Sequence, residues 1–130
     1  MRVLMLLLSF FVVSQFVYAG DDESEQAVIE YLEMSPKFTV NLDKPKKYLQ
    51  ISVQLMIEGS EHVDTIKKHL PALRHELIML YSGQEVAKLQ TMQQREALRQ
   101  ETKKVMTKAL EKYANSDGFR DVFFTAFLVN

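Results

Sequence analysis

Residues 35–57 read SPKFTVNLDKPKKYLQISVQLMI, and this stretch decides the fold. Phe38, Val40 and Leu42 alternate with Thr39, Asn41 and Asp43. After Lys44-Pro45-Lys46, a second alternation sets Leu49, Ile51, Val53, Leu55 and Ile57 against Tyr48, Gln50, Ser52, Gln54 and Met56. Successive side chains of a strand point to opposite faces, so the pattern is a β-hairpin with one apolar and one largely polar face. The apolar face must be covered, and helices on one side of an antiparallel sheet cover it while leaving the polar face open.

The chain downstream supplies those helices. Gly59-Ser60 ends the strand, and Val63, Ile66, Leu70, Leu73, Leu77 and Leu80 then recur at three- and four-residue steps, a stripe that faces the sheet. Pro71 divides this region into two helices, or kinks one, and sits near the first position of the second. Another long helix begins within Gln84 to Thr91 and runs to about Tyr113. Its apolar line is Leu98, Val105, Ala109 and Tyr113 with Met106 and Leu110 beside it; Arg95, Glu96, Arg99 and several lysines form a solvated face. Asn115 to Gly118 is a turn. In the last segment Val122, Phe124, Ala126 and Leu128 alternate with Asp121, Phe123, Thr125, Phe127 and Val129, apolar on both faces. Such a strand is expected to be central and covered on both sides, or to present a face to another protein. The fold class is α+β.

Upstream, Met1 and Arg2 precede an apolar run from Val3 to Val13 broken only by Ser9, and Val17-Tyr18-Ala19 offers a cleavage site before Gly20. Residues 1–19 form a signal peptide or a retained anchor; as a helix, Val3 to Ala19 spans about 25 Å. Either way Asp21-Asp22-Glu23-Ser24-Glu25 leads into the exported side. Residues 20–36 are read as linker and first short element, with Ala27 to Glu33 open between strand and helical turn, and residues 37–130 as the exported domain.

Composition narrows the function. There is no cysteine, so thiolate catalysis, disulfides and thiolate metal sites are excluded. The net charge of −1 becomes −2 if Arg2 leaves with the leader, and no basic footprint for nucleic acid exists. His62, His69 and His75 stand seven and six residues apart with Pro71 intervening, against the three or four that a shared helical metal site needs. Asp43, Glu58, Asp117 and Asp121 lie near strand ends, but no GxSxG, HExxH or phosphate-cradling loop accompanies them. No cofactor is expected and no catalysis; binding or assembly remains.

The hairpin, with FTVNL in its first strand and YLQISV in its second, resembles the flagellar basal-body-associated FliL family. The likeness continues through His69-Leu70-Pro71-Ala72-Leu73-Arg74, Leu89-Gln90-Thr91 with Arg95-Glu96-Ala97-Leu98-Arg99, and Asp121-Val122-Phe123-Phe124-Thr125-Ala126-Phe127-Leu128-Val129. It implies a single-pass inner-membrane protein with a stomatin-like periplasmic domain that forms a ring around the flagellar stator and supports rotation. The chain departs from the family pattern in its short start and apolar segment and in Gln93-Gln94, which suggests an uninterrupted helix. Tyr48, Gln50, Gln54 and Met56 on the hairpin's polar face, with Phe123 and Phe127 on the last strand, are the expected partner-facing residues. The competing expectation is a monomeric periplasmic domain that binds a small ligand or peptide in a closed pocket lined by Phe119, Phe123 and Phe127.

Overall fold

The computed structural model describes residues 28–130; the leader and the acidic stretch after it lie outside those residues. Four strands and three α-helices follow one another as β1 (Ile29–Glu33), β2 (Phe38–Asn41), β3 (Tyr48–Glu58), α1 (Ser60–Lys68), α2 (Leu70–Tyr81), α3 (Met92–Tyr113) and β4 (Phe119–Val129). The fold is α+β, an antiparallel sheet packed against helices. Of the stretch Ala27 to Glu33, open in the sequence, Ile29–Glu33 forms β1, whose five residues pair with Gln54 to Glu58, and Ala27 lies outside the described residues.

β3 organises the sheet. It pairs along one side with β4, from Leu49 to Ile57, so β1 and β2 must share its other side, where β2 takes Tyr48 to Ile51. Leu49, Ile51, Val53, Leu55 and Ile57 are each 0% exposed, as the alternation requires. Against them pack Val63 and Ile66 of α1, Leu73 and Leu77 of α2, and Leu98, Met106 and Leu110 of α3. Pro71 stands in the first turn of α2, where a missing N–H leaves no helical bond unmade.

β4 does not take the central place expected of it. It pairs only with β3 and is an edge strand among the described residues. Nor does its alternation run evenly, because the register shifts between Ser52 and Val53 and again between Met56 and Ile57. Each bulge adds a residue to β4 and re-aims the side chains beyond it. Phe119, Val122, Phe124, Phe127 and Val129 consequently lie on the helix side, opposite the buried residues of β3, while Phe123, Ala126 and Leu128 lie opposite Gln54, Ser52 and Gln50.

α3 departs from its expected start and apolar line. Gln84 to Leu89 holds a short 3-10 turn (Val86–Lys88), and α3 begins after Thr91, whose hydroxyl accepts from Gln94 N–H at 3.1 Å while Gln94 Oε1 accepts from Thr91 N–H at 3.0 Å. Gln94 thus starts a helix rather than continuing one. The buried line includes Thr102, 0% exposed. Its hydroxyl donates to Leu98 C=O at 2.8 Å, so Tyr81, 2.9 Å away, donates to it. Burial raises the Tyr81 phenol well above its usual pKa, and the bond to Thr102 offsets part of that rise. Tyr113, expected on the apolar line, is 41% exposed and stacks on His69.

At the turn before β4, Gly118 has φ 79°, and a Cβ there would meet His62 at 2.5 Å. Only glycine fits that backbone and that contact.

Candidate interaction surface

The helices cover one face of the sheet, and among the described residues the other is bare. On the bare face Tyr48, Gln50, Gln54 and Met56 all stand half-buried, as the alternation of β3 dictates. Each already has a neighbour: Tyr48 Oη accepts from Asn130 Nδ2 at 2.9 Å, Gln50 Oε1 from Lys37 Nζ at 3.4 Å, and Gln54 and Met56 stand opposite Phe123 and Asp121. Phe123 shares this face, with its ring centroid 6.4 Å from that of Tyr31 across β3. Phe127 does not; the bulge after Phe124 turns it to the helix side. The structure thus gathers five of the six residues expected to face partners on one surface and sends the sixth elsewhere.

Phe127 enters a different feature, an open groove of about 330 Å³ between α3 and the outer edge of β4. Phe123, Phe124 and Phe127 line one side, and Met92, Arg95, Glu96 and Arg99 the other. Phe119 is buried in the core, so the three phenylalanines expected to enclose a ligand do not line one cavity. The two arginines lie over rings, Arg95 at 4.6 Å from the Phe127 centroid and Arg99 at 5.7 Å from that of Phe123, where guanidinium and π-face attract.

Arg99 is the better anchored. Its Nη1 donates to Asp121 Oδ1 at 2.7 Å and to Val122 C=O at 2.9 Å, and its other nitrogens hold Glu96 at 2.7 and 2.8 Å. Asp121 Oδ1 also accepts from Val122 N–H at 2.8 Å. Both backbone groups of Val122 are therefore bonded to side chains, which blunts the sheet edge at that point. The bonds from Arg99, and then from Gln100, hold the Glu96 carboxyl down at about 2. Arg99 itself is pushed further above its usual range, first by its bond to Glu96. Helical periodicity alone assigns Arg95 and Arg99 to a solvated face. Their four-residue spacing says only that they share a side of α3, and the groove they form with β4 has no sequence signal.

The candidate catalytic carboxylates do not gather. Asp43 accepts from Val86 N–H, Glu58 pairs with Arg120, Asp121 with Arg99, and Asp117 lies in the turn closed by Asn115. His62 faces Glu61 at 3.4 Å and His69 stacks on Tyr113. Among the described residues no cluster of histidines and carboxylates has the arrangement of a metal site.

Comparison with known proteins decides the family. The family model of the flagellar basal body-associated protein FliL matches residues 31–129, from β1 to the end of β4. The chain belongs to the FliL family. Among curated relatives, the flagellar protein FliL of Escherichia coli strain K12 is 28% identical over 113 residues, which cover 85% of this chain and 73% of that one. That of Aquifex aeolicus is 28% identical over 99 residues, 75% of this chain and 59% of the relative. The FliL match runs from within β1 to the end of β4, so the paired hairpin and the groove beside β4 fall inside the family domain. A role in the flagellum and its basal body follows from this membership.

Proposed function

We propose that the chain is a non-catalytic protein of the flagellar basal body that associates with the periplasmic part of the stator, joins copies of itself in a ring, and supports rotation and motility. Residues 1–19 hold it to the inner membrane as a single-pass anchor, with the sheet and helices on the periplasmic side. The observation that carries the reading is the FliL family match over nearly the whole described domain. The geometry supports it: among the described residues the candidate carboxylates share no partner, and what the fold offers instead is an uncovered sheet face and an open edge. Faces and edges of that kind recognise other chains.

The test is genetic. Deleting the coding sequence is expected to slow swimming, most strongly in viscous medium where each motor works under load, and restoring the full chain is expected to recover it. Swimming that is unchanged by the deletion at every viscosity overturns the reading. The mass of the native protein decides the anchor: retention of residues 1–19 is expected, and a mature chain beginning at Gly20 would instead make it a diffusible periplasmic subunit.

A further inference from the structure

The rim of the sheet is closed in places and open in one that lies beside a cation. Along β2, Arg74 donates to Pro36 and Lys37 C=O and Gly83 N–H donates to Asn41 C=O. On β4, Arg99 and Asp121 occupy the N–H and C=O of Val122. The other end of β4 is different. Asn130 and Tyr48 exchange both backbone hydrogen bonds, at 2.9 and 3.1 Å. Pairs of that kind alternate along an antiparallel ladder with pairs whose N–H and C=O point away from each other. Val129 and Phe127, opposite Leu49 and Ile51, therefore turn their backbone groups outward, and among the described residues no loop or side chain bonds to them.

Three side chains surround this open stretch. Arg95 lies over the Phe127 ring and forms no ion pair among the described residues, whereas Arg99 one turn later has two carboxylates. Met92, at the mouth of the groove, is 87% exposed, and Leu128 on the bare face is 50% exposed. A thioether at a groove mouth adapts to varied apolar neighbours.

We infer that the outer edge of β4 at Phe127 to Val129 accepts an extended segment of another protein as an added strand, with an acidic side chain under Arg95 and an apolar one against Phe127 and Met92. The inference deepens the proposed function by naming the chemistry of a partner, and it rests on that reading only for the partner's flagellar origin. Strand addition uses the outward N–H and C=O groups for affinity and the flanking side chains for selection. Arg99 at Val122 sets the limit of the added strand on one side.

The chain's own acidic stretch is too short to take this place. Val28 C=O bonds to Gly59 N–H, while Phe127 stands opposite Ile51. Eight residues along β3 and two strand spacings separate them, about 26 Å by about 10 Å. Residues 21–27, fully extended, reach at most about 25 Å.

The experiment uses the full chain in detergent micelles, isotope-labelled for NMR, titrated with a capped heptapeptide of alternating valine and threonine carrying one central glutamate. A lysine-centred counterpart is the control. The expected result is shifts centred on the Phe127 and Val129 amides and Arg95, with the glutamate peptide bound at least about tenfold more tightly than the lysine peptide. Arg95→Glu is expected to reverse that preference, and Val129→Pro, which removes an outward N–H, to weaken both peptides about equally while β3 amides keep their positions. Absence of binding up to about 1 mM, shifts centred elsewhere, or binding indifferent to both substitutions overturns the inference. Lost motility on deletion together with an edge that binds neither peptide rejects the edge and leaves the flagellar reading standing. Peptide binding at the edge with motility unchanged by deletion supports the edge and rejects the flagellar origin of its partner.

Discussion

β3 and β4 are neighbours of equal length, 11 residues each, and they obey different rules. β3 is paired on both sides, so a slip of one residue would turn five buried side chains to water, and its alternation is unbroken. β4 is paired on one side only among the described residues. It carries two bulges and distributes phenylalanine to both faces, held at its free edge by Arg99 instead of by another strand. The central strand is locked by its pairing, and the edge strand leaves backbone groups and aromatic rings at the rim of the sheet.

The largest expected effect tests the first half of that contrast. Leu55→Ala, at a fully buried position of β3, is expected to cost about 2–5 kcal/mol in denaturant unfolding, while Leu128→Ala on β4 is expected to change stability by about 0.5 kcal/mol or less. Equal losses at the two positions would break the comparison.

Next in size is the polar pair beneath the sheet. Thr102→Val leaves the Tyr81 hydroxyl buried without an acceptor and is expected to cost about 1–3 kcal/mol. Tyr81→Phe leaves Thr102 bonded to Leu98 C=O and is expected to cost less, about 1 kcal/mol. The reverse order in thermal melts would contradict the assignment of Tyr81 as donor.

Arg99→Ala sharpens the second half. It uncaps Val122 C=O and leaves Asp121 with only the more distant Lys103, at 3.9 Å, for an expected loss of about 1–2 kcal/mol, and it lengthens the open edge. Increased self-association in sedimentation should accompany the loss; lysine, with one point of charge instead of a fork, should restore little of either.

The smallest effect is a pH dependence. Glu96 is held down at about 2 in the folded chain against its ordinary 4.5, so its contribution is present above about 4.5 and fades as acid takes the pH down toward 2. The side chain is exposed and screened, so the loss should be slight, and Glu96→Gln should flatten the pH profile in that window.

The same contrast explains what the sequence could say. The hairpin and the α1–α2 stripe are legible because burial on one face writes a period of two or of near four into the residues. Pro71 marks the start of α2 for a steric reason visible in any chain. In β4, residues apolar on both sides hide the bulges, so Phe127 reads as sharing a face with Phe123. Thr102 is hidden because a hydroxyl satisfied by Tyr81 looks like a surface residue, and Arg99 because its acceptor, a backbone carbonyl 23 positions away, leaves no trace in spacing.

The most direct measurement is photo-cross-linking in motile cells from two exposed rim positions, Leu128 beside the open stretch of β4 and Tyr31 on β1. A cross-link from position 128 to another flagellar protein, absent from position 31, is the predicted result. Cross-links from position 31 alone, or from neither, would contradict the assignment of β4 as the contact edge.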